Sequence, residues 1–337
     1  MNANKYRISI SNWRTLSLGI ALFWIATSMV ACGVTSVEQQ PDQVTVQLKW
    51  RHQAQFAGFY AAVQQNYYAD ENIEVKLLPG GPTATLIDSV VEGGADFGVT
   101  SADDLLGART EGIPVKAIAT IYRRNPLVYF SLPDSGISRP QDFVNTTIRV
   151  GANQQVIFDA LMAQVGISPD QYTISRDPGL DAFYTGDIQV SNGYLINEVL
   201  AAKSQEIDLN VIFPDDYGIH FYSDTIFATD EFLASSPDLT ARFVRATIKG
   251  WRWAIENPVE AGKLALIYNS DLEVNLQVGM MEASVPLIHT GEDQLGWMRR
   301  DIWLGMQEIL LEQGVLESAV DIDQVFTLEF LEQTDGK

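Results

Sequence analysis

The chain has 337 residues, is 46% hydrophobic, and carries a net charge of −21 from 22 basic and 43 acidic residues. That balance excludes partners held by rows of Lys and Arg, namely nucleic acids and anionic lipid surfaces. One cysteine excludes an internal disulfide, so the fold rests on its core, and a chain this long buries roughly three-quarters of its unfolded surface.

The amino terminus sets the compartment. Lys5, Arg7 and Arg14 precede an apolar run from Leu16 to Ala31, short for a spanning helix, which needs about 20 apolar residues. No further Lys or Arg occurs before Lys49, so a stop-transfer flank is missing and residues 1–31 read as a signal peptide. Met29-Val30-Ala31-Cys32 resembles the bacterial lipobox, which implies cleavage before Cys32 and a diacylglycerol anchor on it. Met in place of the commoner Leu is a mild departure, and an ordinary cleaved signal is the alternative. The expected location is therefore lipid-anchored, facing outward from a cell membrane. Residues 1–31 hold three cations and no acid, so their removal takes the charge to −24. Residues 32–43 read as the lipidated cysteine and a polar tether.

Strand and helix patterns then alternate. Val44–Trp50 and Ile73–Leu78 alternate as strands, with a helical pattern over Ala57–Asp70 between them. Pro79-Gly80-Gly81-Pro82 breaks the chain, and a helix over Thr83–Glu92 and a strand over Ala95–Val99 follow. Ser101 opens a helix with Asp103 and Asp104 in its first turn, and Val115–Tyr122 is a further strand. After Leu127–Leu132 a second set begins with a strand at Thr147–Val150. It continues with a helix to Val165, strands at Tyr172–Ser175 and Leu209–Phe213, and a helix at Tyr194–Ser204. Past Tyr217-Gly218 the chain returns and is mainly helical, with Pro237–Glu256 and Arg300–Gln313 the clearest periods.

The expected fold is α/β, with a mostly parallel sheet in the first lobe and a second α/β lobe inserted in it. Residues 44–130 and 220–337 form lobe 1, and 131–219 form lobe 2. A ligand in such a fold lies beyond the carboxyl ends of the strands.

Enzyme patterns are missing. The three histidines, His52, His220 and His289, are scattered, and the chain contains no G-x-S-x-G, Walker loop or dinucleotide fingerprint. Neither a metal nor a cofactor is expected. Asp103 and Asp104 are adjacent, point apart on a helix, and serve its N-terminus. Amides and aromatics instead gather at strand–helix turns, a set that suits a flat heteroaromatic read at its edge. Trp50 and Gln53 carry this signal; Phe56, Phe59 and Tyr60 read as core.

The segments LKWRHQAQFAGFYAA (48–62), LLPGGP (77–82), GADFGVTSADDLLGAR (94–109), NGYLINE (192–198), FPDDYGIHFYSDTIFAT (213–229) and LGWMRRDIW (295–303) together resemble one family. It is the branch of ABC-importer solute-binding proteins related to the fungal thiamine-pyrimidine synthase. The resemblance implies a two-lobed type II periplasmic-binding fold, with an ABC permease and its ATPase as partners. It places the ligand against Trp50, Gln53 and Gln55, and against Ser101, whose plain alternative is a helix cap. In the second lobe it adds Asn153, Gln154, Tyr194, Asn197 and Glu198, where pyrimidine binders keep an acid and a solvated carboxylate is the alternative. Tyr217 is contact or hinge. The synthase chemistry needs a Cys-rich segment, which this chain lacks, so no enzyme is expected. Riboflavin is the first ligand reading and a thiamine pyrimidine precursor (formylaminopyrimidine or hydroxymethylpyrimidine) the second. A ligand-sensor subunit is the rival of a different class.

Overall fold

Strand β1 (Asp42–Gln47) buries Val44 and Val46 on one face, as its alternation predicts, and pairs in parallel with β2 (Ile73–Leu78) and β3 (Phe97–Thr100). The computed structural model describes residues 40–334 apart from 83, 152 and 153. The signal peptide, the Cys32 anchor and Asn153 therefore lie outside the described residues. Asp42 and Gln43, expected at the end of the tether, already belong to β1.

The larger sheet has the order β2-β1-β3-β10-β4, with β4 at Val115–Tyr122 and β10 at Ser223–Thr229. It is mixed, because β10 runs antiparallel to both β3 and β4. The chain leaves this sheet at the end of β4 and re-enters at that same end, with Ser223 opposite Tyr122, so its return strand has to run backwards. The excursion between them carries a three-stranded antiparallel sheet, β8-β5-β9 (Ser191–Tyr194, Leu127–Ser131, Asn210–Ile212), and a parallel pair, β6 (Thr147–Arg149) with β7 (Thr173–Ser175). The β5–β8 and β5–β9 pairings of the second lobe are antiparallel. Since β5 pairs only with β8 and β9, residues 127–130 sit in the smaller sheet.

Two helices show how local sequence sets packing. Pro237–Glu256 places Phe243, Val244, Thr247, Trp251 and Ala254 on its buried side, while Arg242 and Arg245 on the other side reach Asp42 and Glu71 at 2.7 and 2.6 Å. The long helix expected over Ala57–Asp70 breaks after Gln64 and restarts at Tyr67, because Asn66 takes a left-handed conformation (φ 61°). Gly58 and Gly250 let these two helices approach closely: a Cβ on Gly58 would stand 2.0 Å from Trp251 Cδ2, and one on Gly250 would stand 2.3 Å from the Gly58 carbonyl oxygen.

The helix expected over Tyr194–Ser204 starts later. Tyr194 ends β8, Leu195–Val199 forms a single π turn, and an α-helix follows over Leu200–Ser204. Among the described residues no helix is long and apolar enough to cross a membrane.

Candidate functional site

The carboxyl ends of β1, β3 and β4 and the start of β10 meet at one end of the larger sheet, and Lys49 stands at their centre. It sits two residues beyond β1, with its side chain 16% exposed. Its ammonium donates to Ser101 Oγ (2.6 Å), Tyr194 Oη (3.1 Å) and Ser223 Oγ (3.1 Å), and Asp224 Oδ1 lies 3.6 Å away. Ser101 follows β3, Ser223 and Asp224 open β10, and Tyr194 belongs to the smaller sheet. One cation thus ties the two lobes together. Burial works to lower the lysine pKa, but Tyr194, Asp224 and Asp104 outweigh it and hold the ammonium charged.

Asp224 is the counter-pole. Its side chain is 1% exposed and its backbone is left-handed (φ 50°), a conformation that costs a non-glycine residue about 1 kcal/mol or more. Burial raises its carboxyl above the ordinary value, while the Lys49 charge and the Gln55 and Ser223 donors oppose that rise. Gln55 Nε2 donates to Asp224 Oδ2 at 2.7 Å, and Gln53 Nε2 donates to Gln55 Oε1 at 2.6 Å. The direction of this relay is forced. A carboxylate only accepts, so Gln55 must face it with its amide nitrogen and meet Gln53 with its oxygen. That leaves Gln53 Oε1 as an acceptor.

The Lys49 side has the opposite polarity. An ammonium only donates, so the Ser101 and Tyr194 oxygens accept from it, and each hydroxyl keeps its own hydrogen to donate elsewhere. The site therefore presents donors at Ser101 and Tyr194 and an acceptor at Gln53.

The neighbouring motifs hold these groups in place. Gly80 N donates to Trp50 O at 2.9 Å, and a Cβ on Gly80 would stand 2.3 Å from Leu48 O. The PGGP turn thus clamps the backbone that carries Lys49, and only glycine fits there. Gln277 Oε1 accepts from Ala54 N at 2.7 Å and fixes the turn of Gln53 and Gln55. Ser101 also caps its helix in a reciprocal box with Asp104, so cap and contact are both served by one side chain.

Of the sequence-derived candidates, Gln53, Gln55, Ser101 and Tyr194 are joined through Lys49 and Asp224. Trp50 is half-buried against the larger core beside them. Gln154 accepts from Asn192 Nδ2 at 2.9 Å within the second lobe. Glu198 turns back on its own segment: its Oε2 accepts from Tyr194 N at 2.7 Å, over a Gly193 that has no room for a Cβ. That contact gives the acid of NGYLINE a structural task, holding Tyr194 at the end of β8. Asn197 is half-buried on the π turn, and Tyr217 packs against the second core cluster. Lys49, Ser223 and Asp224 were not singled out from sequence; the one available signal was the lysine that interrupts the end of VTVQLKW just before Trp50.

Beside this network a cavity of about 510 Å3 opens between Thr85, Asp88, Thr100, Asp103 and Asp104 of the first lobe and Val156 of the second. Burial, then the charge of Asp104, pushes the Asp103 carboxyl up to about 7, against the pull of Lys49. A raised carboxyl pKa favours the folded state only while the group is protonated. That contribution is whole below about pH 4 and is lost as pH rises through 7. Asp103→Asn is therefore expected to raise Tm by about 2 °C at pH 8 and to leave it unchanged at pH 4, measured by calorimetry. An equal shift at both pH values would refute the assignment.

Two lobes built on a mixed sheet, crossed twice by the chain and closed over a polar network at the strand ends, define a type II periplasmic-binding fold. The sulfonate-binding protein SsuA of Methylobacillus flagellatus superposes with a TM-score of 0.68 at 12% identity, covering 88% of this chain and 94% of that one. The family described as NMT1/THI5 like matches residues 53–261, and the chain belongs to it. Riboflavin-binding protein RibY of Chloroflexus aurantiacus is 28% identical, over 94% of this chain and 97% of that protein. The formylaminopyrimidine-binding protein of Halalkalibacterium halodurans is 24% identical, over 92% and 98%. The family also includes enzymes: a 4-amino-5-hydroxymethyl-2-methylpyrimidine phosphate synthase of Legionella pneumophila is 25% identical, over 87% of this chain and 93% of that protein.

Proposed function

We propose that this chain is the solute-capturing lipoprotein of an ABC importer and that its ligand is riboflavin. The observation that carries the reading is the polarity of the Lys49 network. Donors at Ser101 and Tyr194 with an acceptor at Gln53 suit a ring edge of carbonyls around an imide N–H, as in the isoalloxazine. An ammonium at the floor of the site also disfavours a basic aminopyrimidine, whose ring nitrogen takes up a proton. The pyrimidine reading places the ring amine on Glu198, whose Oε2 is drawn back to Tyr194 N, leaving chiefly Oε1 for it. The relative that binds riboflavin adds support through its coverage of nearly the whole chain.

Capture follows from the two-lobed form. Lys49 and Tyr194 stand on opposite lobes, so a ligand that bonds to both favours the closed arrangement by its preference for that arrangement. The closed protein then docks on a permease, and lipid on Cys32 keeps it at the membrane. The family's synthase chemistry is not proposed, because it relies on a Cys-rich segment and this sequence holds one cysteine.

The test is a titration of the full-length chain in detergent with riboflavin, followed by quenching of flavin fluorescence. Saturable quenching at micromolar vitamin is expected, and Trp50→Ala should weaken it about tenfold if the indole stacks on the ring. Formylaminopyrimidine raising Tm where riboflavin neither quenches nor stabilises would replace the flavin by the pyrimidine.

A further inference from the structure

The two segments that join the lobes enclose a second cavity, of about 440 Å3, whose wall is rich in guanidinium groups. Tyr122, the last residue of β4, turns its hydroxyl to Ser284 at 2.9 Å, on the side of the larger core. Arg123 follows it, and Tyr222, whose hydroxyl accepts from Arg299 N at 3.0 Å, packs in the other core cluster. The cavity is lined by Arg123, Arg124 and Arg299, by His220 and Asp215 of the returning segment, and by Thr290 and the acidic Glu292 beyond the helix Val274–Ile288. None of these residues takes part in the Lys49 network.

Arg123 is the unusual member. Its side chain is 4% exposed, and its Nη2 is held by Asp293 at 2.5 Å with Glu292 at 3.7 Å. Its Nε and Nη1 are buried and have no hydrogen-bond partner. Thr290 Oγ1 is likewise buried and unpartnered, and Arg124 Nε makes no hydrogen bond, standing 3.4 Å from Asp215 Oδ2. A buried donor left without an acceptor costs about 1–3 kcal/mol, more when charged. The carboxylates nearby are committed elsewhere: Asp216 to Arg124 Nη2 at 2.5 Å, Asp215 to His220 Nδ1 at 2.7 Å, and Asp301 to Arg299. What remains at the cavity wall is a set of N–H and O–H donors without partners among the described residues, beside a Glu292 carboxylate that also lines the cavity and is 67% exposed to water.

We propose that this cavity binds a small oxyanion of phosphate size. Asp293 holds Nη2 of Arg123, the nitrogen that both paired-donor edges of a guanidinium share, so a free N–H on Nη1 or Nε would donate to one oxygen of the anion, and Thr290 would donate to another. The walls come from the outgoing crossing, the returning crossing and the first lobe, so an occupant ties the crossings together. Any effect it has on closure must be matched by an equal effect of the cleft ligand on its own affinity. The proposal stands whether or not the cleft takes riboflavin.

The experiment is thermal unfolding of the full-length chain in detergent against inorganic phosphate, with NaCl at matched ionic strength as reference. Wild type, Arg123→Met and Thr290→Val are compared, and glycerol 3-phosphate in a second arm stands for a lipid headgroup. The expected result is a saturable rise of about 2–4 °C over NaCl, lost in Arg123→Met and needing about tenfold more phosphate in Thr290→Val. Response to phosphate alone assigns a free ion; response to both assigns an oxyanion that is also accepted as an ester. A rise no larger than with NaCl, or one retained in both variants, overturns the proposal. If Arg123→Met does not fold, Thr290→Val decides.

Discussion

Lys49→Met is expected to lower the free energy of unfolding by about 3–5 kcal/mol at pH 7.5, the range found when one member of a buried pair is removed. The loss comes less from the missing attraction than from what stays behind. Asp224 is 1% exposed and its backbone is held left-handed, so it cannot turn to water when its cation goes. Ser101, Tyr194 and Ser223 lose their common donor at the same time. The deficit should depend on pH in a fixed sense. Burial already raises the Asp224 carboxyl, and without Lys49 the protonated form is favoured further. A raised folded-state pKa stabilises at low pH and ceases to do so as pH rises, so the gap to wild type should be wide at pH 8 and narrow toward pH 4. Adding Asp224→Asn removes the stranded charge, keeps an oxygen for Gln55, and suits a positive φ. The double variant should recover more than half of the loss. Urea unfolding at the two pH values measures both effects, and a single variant within 1 kcal/mol of wild type at pH 8 would show that the pair adds little to stability.

Lys49 also marks the limit of what the sequence made legible. Residue character at the strand–helix turns pointed to Trp50 and Gln53, the family resemblance added Gln55, Ser101 and Tyr194, and the structure joins Gln53, Gln55, Ser101 and Tyr194. The two charged residues that join them escaped both. In a strand that alternates sides, a lysine at the end of VTVQLKW reads as an exposed position, and Asp224 reads as an acid in a return loop. Their pairing spans 175 positions of sequence, a separation over which no local pattern carries information. Glu198 shows the converse: a carboxylate on a motif shared with ligand binders is engaged at short range by the backbone of Tyr194. The same contrast holds for the fold. Pro237–Glu256 was read to the residue because its apolar period extends over 20 residues. β8, with Ser, Asn and Gly in a four-residue strand, has no β-branched residue to announce it, and its antiparallel pairing to β5 was set by tertiary contact.

Two alanine substitutions at helical glycines should move stability in opposite directions, although local propensity treats them alike. In a helix interior glycine is worse than alanine by about 0.5–1 kcal/mol. At Gly107, in the helix Ala102–Thr110, a Cβ meets no atom within 4 Å, so Gly107→Ala should gain that amount. At Gly58, in Ala57–Gln64, the Cβ would enter the Trp251 ring plane at 2.0 Å from Cδ2 and 2.2 Å from Cγ. Trp251 is 1% exposed and packs edge-on to Phe59, with ring centroids 6.1 Å apart. It has no open space to move into, and the Gly58 carbonyl lies so near Gly250 that even a Cβ there would stand 2.3 Å from it. The helices would have to separate, which breaks the contact along the rest of their crossing, and the expected net loss is about 3 kcal/mol. Chemical unfolding of both variants against wild type measures the signs directly. The loss also has a functional consequence. Ala57–Gln64 directly follows the turn that carries Gln53 and Gln55, so a shift of this helix moves the acceptor end of the relay from Asp224. Gly58→Ala should therefore weaken ligand capture as well as stability, whereas Gly107→Ala, several residues beyond the Ser101 cap, should leave capture unchanged. A Gly58→Ala protein as stable as wild type would mean that the two helices are not in contact at this glycine in solution.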